Sequence, residues 1–115
     1  MAMQTDYSLA LTIKDGSSTA LAATATGSLP QRSNELDSAV IEIATGGTDV
    51  VIPLGEVTPV KDVLLDSDQP LSLKINASTI PIPFKALALL DTAITALSVS
   101  NASGNVAKLK ATLKG

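Results

Sequence analysis

A chain of 115 residues falls within the usual size of one domain, and its formal net charge of −3 offers no attraction to the phosphate backbone of nucleic acid or to an anionic lipid surface. It contains no cysteine, histidine or tryptophan, so disulfides and thiolate metal sites are excluded, as are the side chains most often used for acid–base and nucleophilic catalysis. Charged residues make up only 17% of the chain, against about 25% in typical soluble domains, which predicts that part of the weakly charged surface is covered by a partner.

The first strong pattern is alternation with period two: Tyr7, Leu9, Leu11 and Ile13 on one side, Ser8, Ala10, Thr12 and Lys14 on the other. Such alternation predicts a strand with one core face and one solvent face. Asp15-Gly16 supplies turn chemistry after it. Residues 17–28 form a low-complexity Ser/Thr/Ala run, read as a weak strand because Thr favours extended backbone and Ala does not. The polar stretch 29–37 reads as a surface connection.

Residues 39–43 (AVIEI) and 49–54 (DVVIPL) flank Thr45-Gly46-Gly47-Thr48, and the paired glycines predict a hairpin joining them. Pro53 lacks a ladder donor, so its strand should lie at an edge or end there. Residues 60–65 (VKDVLL) predict another strand closed by the turn Asp66-Ser67-Asp68-Gln69-Pro70, with Leu71, Leu73 and Ile75 alternating beyond it. Ile80-Pro81-Ile82-Pro83-Phe84 is extended, since each proline pushes its predecessor into the β region. The segment 85–97 (KALALLDTAITAL) contains good helix formers with Phe84, Leu87, Ala88, Ile94 and Leu97 near one helical face, but Asp91 interrupts that stripe. The expectation is a strand at 86–90, a turn at Asp91-Thr92 and a strand at 95–100. The turn cluster 101–105 then predicts a final hairpin, whose last strand buries Ala107, Leu109, Ala111 and Leu113 and exposes Lys108, Lys110 and Lys114.

Many short strands separated by Gly, Pro, Asn and Asp clusters predict an all-β chain, an antiparallel β-sandwich of jelly-roll type forming a single domain over residues 1–115. With only Tyr7 and Phe84 as aromatics, its core must be built from Leu, Ile, Val and Ala. The N-terminal MAMQTDYS lacks the basic region and apolar run of an export signal, and no apolar stretch approaches the roughly 18 residues of a spanning helix. A soluble protein that is kept off membranes is expected.

A search for chemistry returns little. A Ser/Lys catalytic pair is the one surviving option, and abundant Ser beside a few Lys makes a chance pairing the better reading. Asp66 and Asp68 form a D-x-D in a loop, but the central Gly and terminal Glu of a calcium loop are absent, so ordinary turn chemistry explains them. Gly46-Gly47 lacks the lysine of a phosphate cradle. Asn76-Ala77-Ser78 and Asn101-Ala102-Ser103 match the glycosylation triplet by chance. Tyr7 and Phe84, the candidate sugar-stacking rings, sit in apolar patterns better explained as core. No catalytic, cofactor-binding or metal-binding residue is assigned, and no enzyme activity or cofactor is expected.

The run VLLDSDQPLSLKINAS and the final ITALSVSNASGNVAKLKATLKG resemble small virion proteins of tailed bacteriophages, which carry a strand, an acidic turn, a strand ending in Asn and a C-terminal hairpin. The matching residues are 63–76 and 94–115. The resemblance implies a non-catalytic β-sandwich subunit of the virion, made in the host cytoplasm. It would be a capsid decoration (cement) protein or a ring component of the neck or tail. Its implied partners are other copies of itself, with a homotrimer favoured, and the major capsid protein or neck and tail proteins. A non-catalytic ligand- or carbohydrate-binding sandwich is the alternative.

Overall fold

The computed structural model describes residues 5–29, 36–55, 57 and 60–115. Most of the surface connection expected at 29–37 lies outside them. Among the described residues the chain is all-β, with strands β1 (Asp6–Asp15), β2 (Ser18–Ser28), β3 (Leu36–Ile43), β4 (Val50–Val51), β5 (Asp62–Ile75), β6 (Ile82–Leu89), β7 (Leu97–Ser100) and β8 (Ala107–Lys114). They form two compact units, 1–33 and 34–115, and every strand pairing is antiparallel.

The first unit is the β1–β2 hairpin. Gly16 provides the positive φ of its turn. Register runs from Asp6 opposite Ser28 to Asp15 opposite Ser18, with Ala20 as an extra residue on β2. The Ser/Thr/Ala run therefore forms a full-length strand: pairing along β1 supplies what the local propensity of Ala lacks. Tyr7 is half-buried and lies across Gly27, its partner in register. A Cβ on Gly27 would stand 2.6 Å from the Tyr7 hydroxyl oxygen, so the ring occupies the space a side chain would take. Tyr7 is the sole tyrosine in a chain without tryptophan, so tyrosine emission reports on this hairpin alone. Gly27→Val should displace the ring, shifting tyrosine emission and its near-UV circular dichroism while leaving the unfolding of the second unit unchanged. Wild-type spectra for the variant would refute the stacked ring.

The second unit is a six-stranded curled sheet built around β5. Along one edge of β5 lies β6. Along the other, β8 pairs with residues 62–67 and β7 with residues 72–75. Beyond these, β3 pairs with β8 and β4 with β7. The sheet is thus four segments wide, and each segment is interrupted at the same level: β3/β4 at 44–49, β8/β7 at 101–106, β5 at 67–70, and β6 near Lys85.

Three expectations about turns are corrected here. Residues 66–70 do not close a strand but form a corner within one 14-residue strand. On the β6 side, four residues of β5 are accommodated between the Asp66–Ala86 and Leu71–Phe84 pairs, where β6 has only Lys85. The Ser67 hydroxyl donates to the Gln69 carbonyl and accepts the Gln69 amide, and the Asp68 carboxylate accepts the Lys108 amide at 2.8 Å. Side chains thereby supply bonds where the ladder is broken. Neither Gly46-Gly47 nor the 101–105 cluster makes a hairpin, because β3 and β4 pair with β8 and β7 rather than with each other, and β7 does not pair with β8. Both loops carry the chain past the same corner.

The core lies on the concave face. Alternation along β5 persists through the corner, burying Val63, Leu65, Leu71 and Leu73. Leu97, Val99, Ala107, Leu109, Ala111 and Leu113 join them from β7 and β8, with Ile43, Ile52, Val60, Phe84 and Ile94. The core is aliphatic apart from Phe84. The strand reading of 85–97 holds: β6 ends at Leu89, Asp91 takes φ 55°, and β7 begins at Leu97. Pro53 lies just past edge strand β4, where a missing donor is harmless.

Candidate interaction surface

The residues that carry polar structure are the two asparagines of the N-A-S triplets. Asn101 ends β7 and is 1% exposed. Its Nδ2 donates to the carbonyls of Ile43, Ala44 and Asn105 at 3.1, 3.3 and 2.7 Å, and its Oδ1 accepts the Ser103 amide and hydroxyl at 3.0 and 2.7 Å. Its backbone exchanges bonds with Gly46 and Gly47. One side chain thus ties together the two loops that cross the corner. Asn76 does the same at the end of β5, in the left-handed region at φ 55°. Its Oδ1 accepts the Thr95 amide and hydroxyl and the Ala96 amide, and its Nδ2 donates to the Ala93 carbonyl at 3.1 Å. The sequence signal for these roles was present, since both Asn residues stand at strand ends followed by Ala-Ser, but a triplet does not reveal which distant carbonyls it will meet.

The candidate chemical groups are dispersed. Asp68 holds the Lys108 amide, and Asp66 stands opposite Lys110 in the β5–β8 register. Among the described residues no group of three or more His, Cys, Asp or Glu gathers in a way that would hold a metal ion. Lys114, expected to be exposed, is instead buried opposite Asp62, with its Nζ donating to the Gly115 carbonyl at 2.9 Å, while the exposed Lys108 lies opposite Glu42 and the exposed Lys110 opposite Asp66. The expected cationic face is therefore an alternating one. Phe84 lies in the core and Tyr7 over Gly27, so neither ring is laid out as a flat exposed platform. An ion pair of 3.0 Å joins Lys74 to Asp49 beside a shallow groove lined by Asn76, Thr79 and Ser98. Both partners are substantially exposed, so the pair contributes little to stability.

What the fold does present is apolar surface on strands. In the hairpin the odd-numbered residues of β1 share a face with Leu21, Ala23, Ala25 and Gly27. This corrects the core face expected for the first strand: Leu9, Leu11 and Ile13 are 41%, 60% and 47% exposed, Leu21 beside them is 53% exposed, and Tyr7 is only half-buried. The opposite face carries Ser8, Thr12, Thr24 and Thr26. A two-stranded hairpin is marginally stable by itself, and large exposed aliphatics in a continuous row mark an interaction surface. The convex side of the curled sheet adds Val40 and Leu64, both exposed. No helix among the described residues is long and apolar enough to cross a membrane. No protein-family model, curated protein or solved structure matches this chain.

Proposed function

We propose that this chain is a structural protein of a tailed-bacteriophage virion, acting as a capsid decoration (cement) protein that stabilises the head through protein–protein contacts. The observation that carries the reading is the row of exposed aliphatics along one face of the β1–β2 hairpin, which is suited to holding another protein. The resemblance to phage virion proteins supports it further. Its two segments, 63–76 and 94–115, coincide with β5, β7 and β8, the strands around which the curled sheet is organised. In this reading the curled unit is a rigid body, the hairpin face seats on the shell protein, and copies assemble as trimers at three-fold positions. A ring component of the neck or tail is the second reading, favoured by the same hairpin face if copies contact one another in a larger ring.

Sedimentation with empty capsids and with connector rings separates the two. Co-sedimentation with capsids supports the decoration role, and binding to rings alone selects the neck or tail. A monomer that binds neither and retains a glycan overturns both. Leu11→Glu places a charge in the centre of the apolar row and should weaken capsid binding at least tenfold, with the thermal midpoint of the curled unit unchanged. Undiminished binding by that variant would remove the hairpin face from the contact.

A further inference from the structure

We infer that β1 pairs edge to edge with β1 of a second copy, antiparallel about a two-fold axis at Ala10, making a four-stranded sheet ordered β2-β1-β1-β2. Among the described residues β1 pairs only with β2, so its outer ladder of amides and carbonyls is open. Proteins usually blunt such edges with proline, a central charge, a bulge or brevity. The edges of the curled sheet are blunted: β6 carries Pro83, Lys85 and an irregularity, β4 has two residues, and β3 carries Glu42. The outer edge of β2 is interrupted by the extra residue Ala20. Strand β1 has no charge or proline between Tyr7 and Ile13, and the extra residue of the hairpin lies on β2.

Charge then selects the partner and the register. The β1 sequence is self-complementary when partner numbers sum to 20. Asp6 meets the partner's Lys14 at both ends, Tyr7 meets the partner's Ile13, Leu9 meets the partner's Leu11, and Ala10 meets itself. Because the sum is even, odd residues pair with odd residues, so both apolar faces fall on one side of the joined sheet and outward-pointing amides meet outward-pointing carbonyls. Aromatic with β-branched and aliphatic with aliphatic are favourable cross-strand pairs, as are opposite charges. Sliding by two residues either way separates Asp6 from Lys14, and parallel in-register pairing stacks each charge on its like. The Oδ1 of Asp6 accepts the Ser28 hydroxyl at 2.7 Å, which leaves its second oxygen for the lysine. Strand β2 carries no charge at all to fix a register. In a trimeric assembly this two-fold contact joins one trimer to another, and it stands whether or not the partner of the hairpin face is a capsid.

The absence of native cysteine makes the test direct in the full-length protein. In the paired sheet, Ala10 of the two copies lie about 5 Å apart at Cα, within disulfide reach. Thr12 is opposite the partner's Ser8 and about 13 Å along the strand from the partner's Thr12. On mild oxidation Ala10→Cys should therefore form a covalent dimer, and Ser8→Cys and Thr12→Cys should each remain monomeric alone but form a mixed dimer when combined. Lys14→Asp should lower the Ala10→Cys dimer yield about tenfold at low salt, and adding Asp6→Lys should restore it. Tyrosine emission shows that the hairpin is formed in each variant. Equal cross-linking of Ala10→Cys and Thr12→Cys, failure of Ala10→Cys to cross-link, or loss on charge reversal without rescue overturns the pairing.

Discussion

Asn101→Ala is expected to cost the curled unit about 3 kcal/mol, the largest effect of any polar substitution among the described residues. Five side-chain hydrogen bonds disappear, and the carbonyls of Ile43, Ala44 and Asn105 lose a donor in a part of the fold that water reaches poorly. The net value of an ordinary hydrogen bond is about 1 kcal/mol, and because the Ala44 carbonyl keeps the Gly47 amide and the Asn105 carbonyl keeps the Ser103 hydroxyl, the cost comes from several bonds lost together at a buried site. Asn101→Asp should be at least as damaging, because a carboxylate turns acceptor oxygens toward three carbonyls and donates nothing. Ser103→Ala removes bonds at the same loop from a residue that is less buried, and should cost about 1 kcal/mol. Urea unfolding of the three variants checks the order. An Asn101→Ala protein within 1 kcal/mol of wild type would mean that the two crossing loops are not held by this side chain.

The second large effect is expected at the centre of β5. Leu65 is fully buried between Leu87 on β6 and Ala111 on β8, and Leu65→Ala should cost about 3–4 kcal/mol through lost burial and the cavity left behind. Leu64 is its neighbour in sequence but half-exposed on the convex side, and Leu64→Ala should change stability by less than about 0.5 kcal/mol. Leu73, beyond the corner and also fully buried, should behave like Leu65. The comparison of Leu73 with Leu65 tests whether the corner keeps the parity of the strand. Leu71 follows Leu65 by six residues, an even step, so both face the core, and a corner one residue longer or shorter would have turned Leu73 outward. Equal losses at Leu64 and Leu65 by thermal or urea unfolding would refute the alternation.

These losses are large for a physical reason. The core has one aromatic ring, so each aliphatic side chain carries a larger share of the burial than it would in a ring-rich domain. Net stabilities of domains are of the order of 5–15 kcal/mol, so either substitution removes a sizeable part of the whole.

Which residues form strands was legible in the sequence, and on β5, β7 and β8 so was the side that faces the core. On β1 the expected core face of Leu9, Leu11 and Ile13 is exposed instead, because alternation marks an apolar face without saying what covers it. The alternation of Leu71, Leu73 and Ile75, or of Ala107, Leu109, Ala111 and Leu113, is a local property: period two sends successive side chains to opposite faces whatever the strand pairs with. The absence of His, Cys and Trp was equally plain. Pairing was not legible. Thr45-Gly46-Gly47-Thr48 and Asn101-Ala102-Ser103-Gly104-Asn105 have the composition of hairpin turns, and glycine at positive φ serves a hairpin and a corner equally well. Only the tertiary structure decided between them, because the bonds that commit both loops to the corner run from Asn101 to carbonyls 57 and 58 residues away in sequence. The same holds for Asp66 to Pro70, whose residues look like a turn until the Asp68 carboxylate meets the Lys108 amide 40 residues on. Local periodicity sets the face of a strand, whereas its neighbours are chosen by groups far apart in the chain.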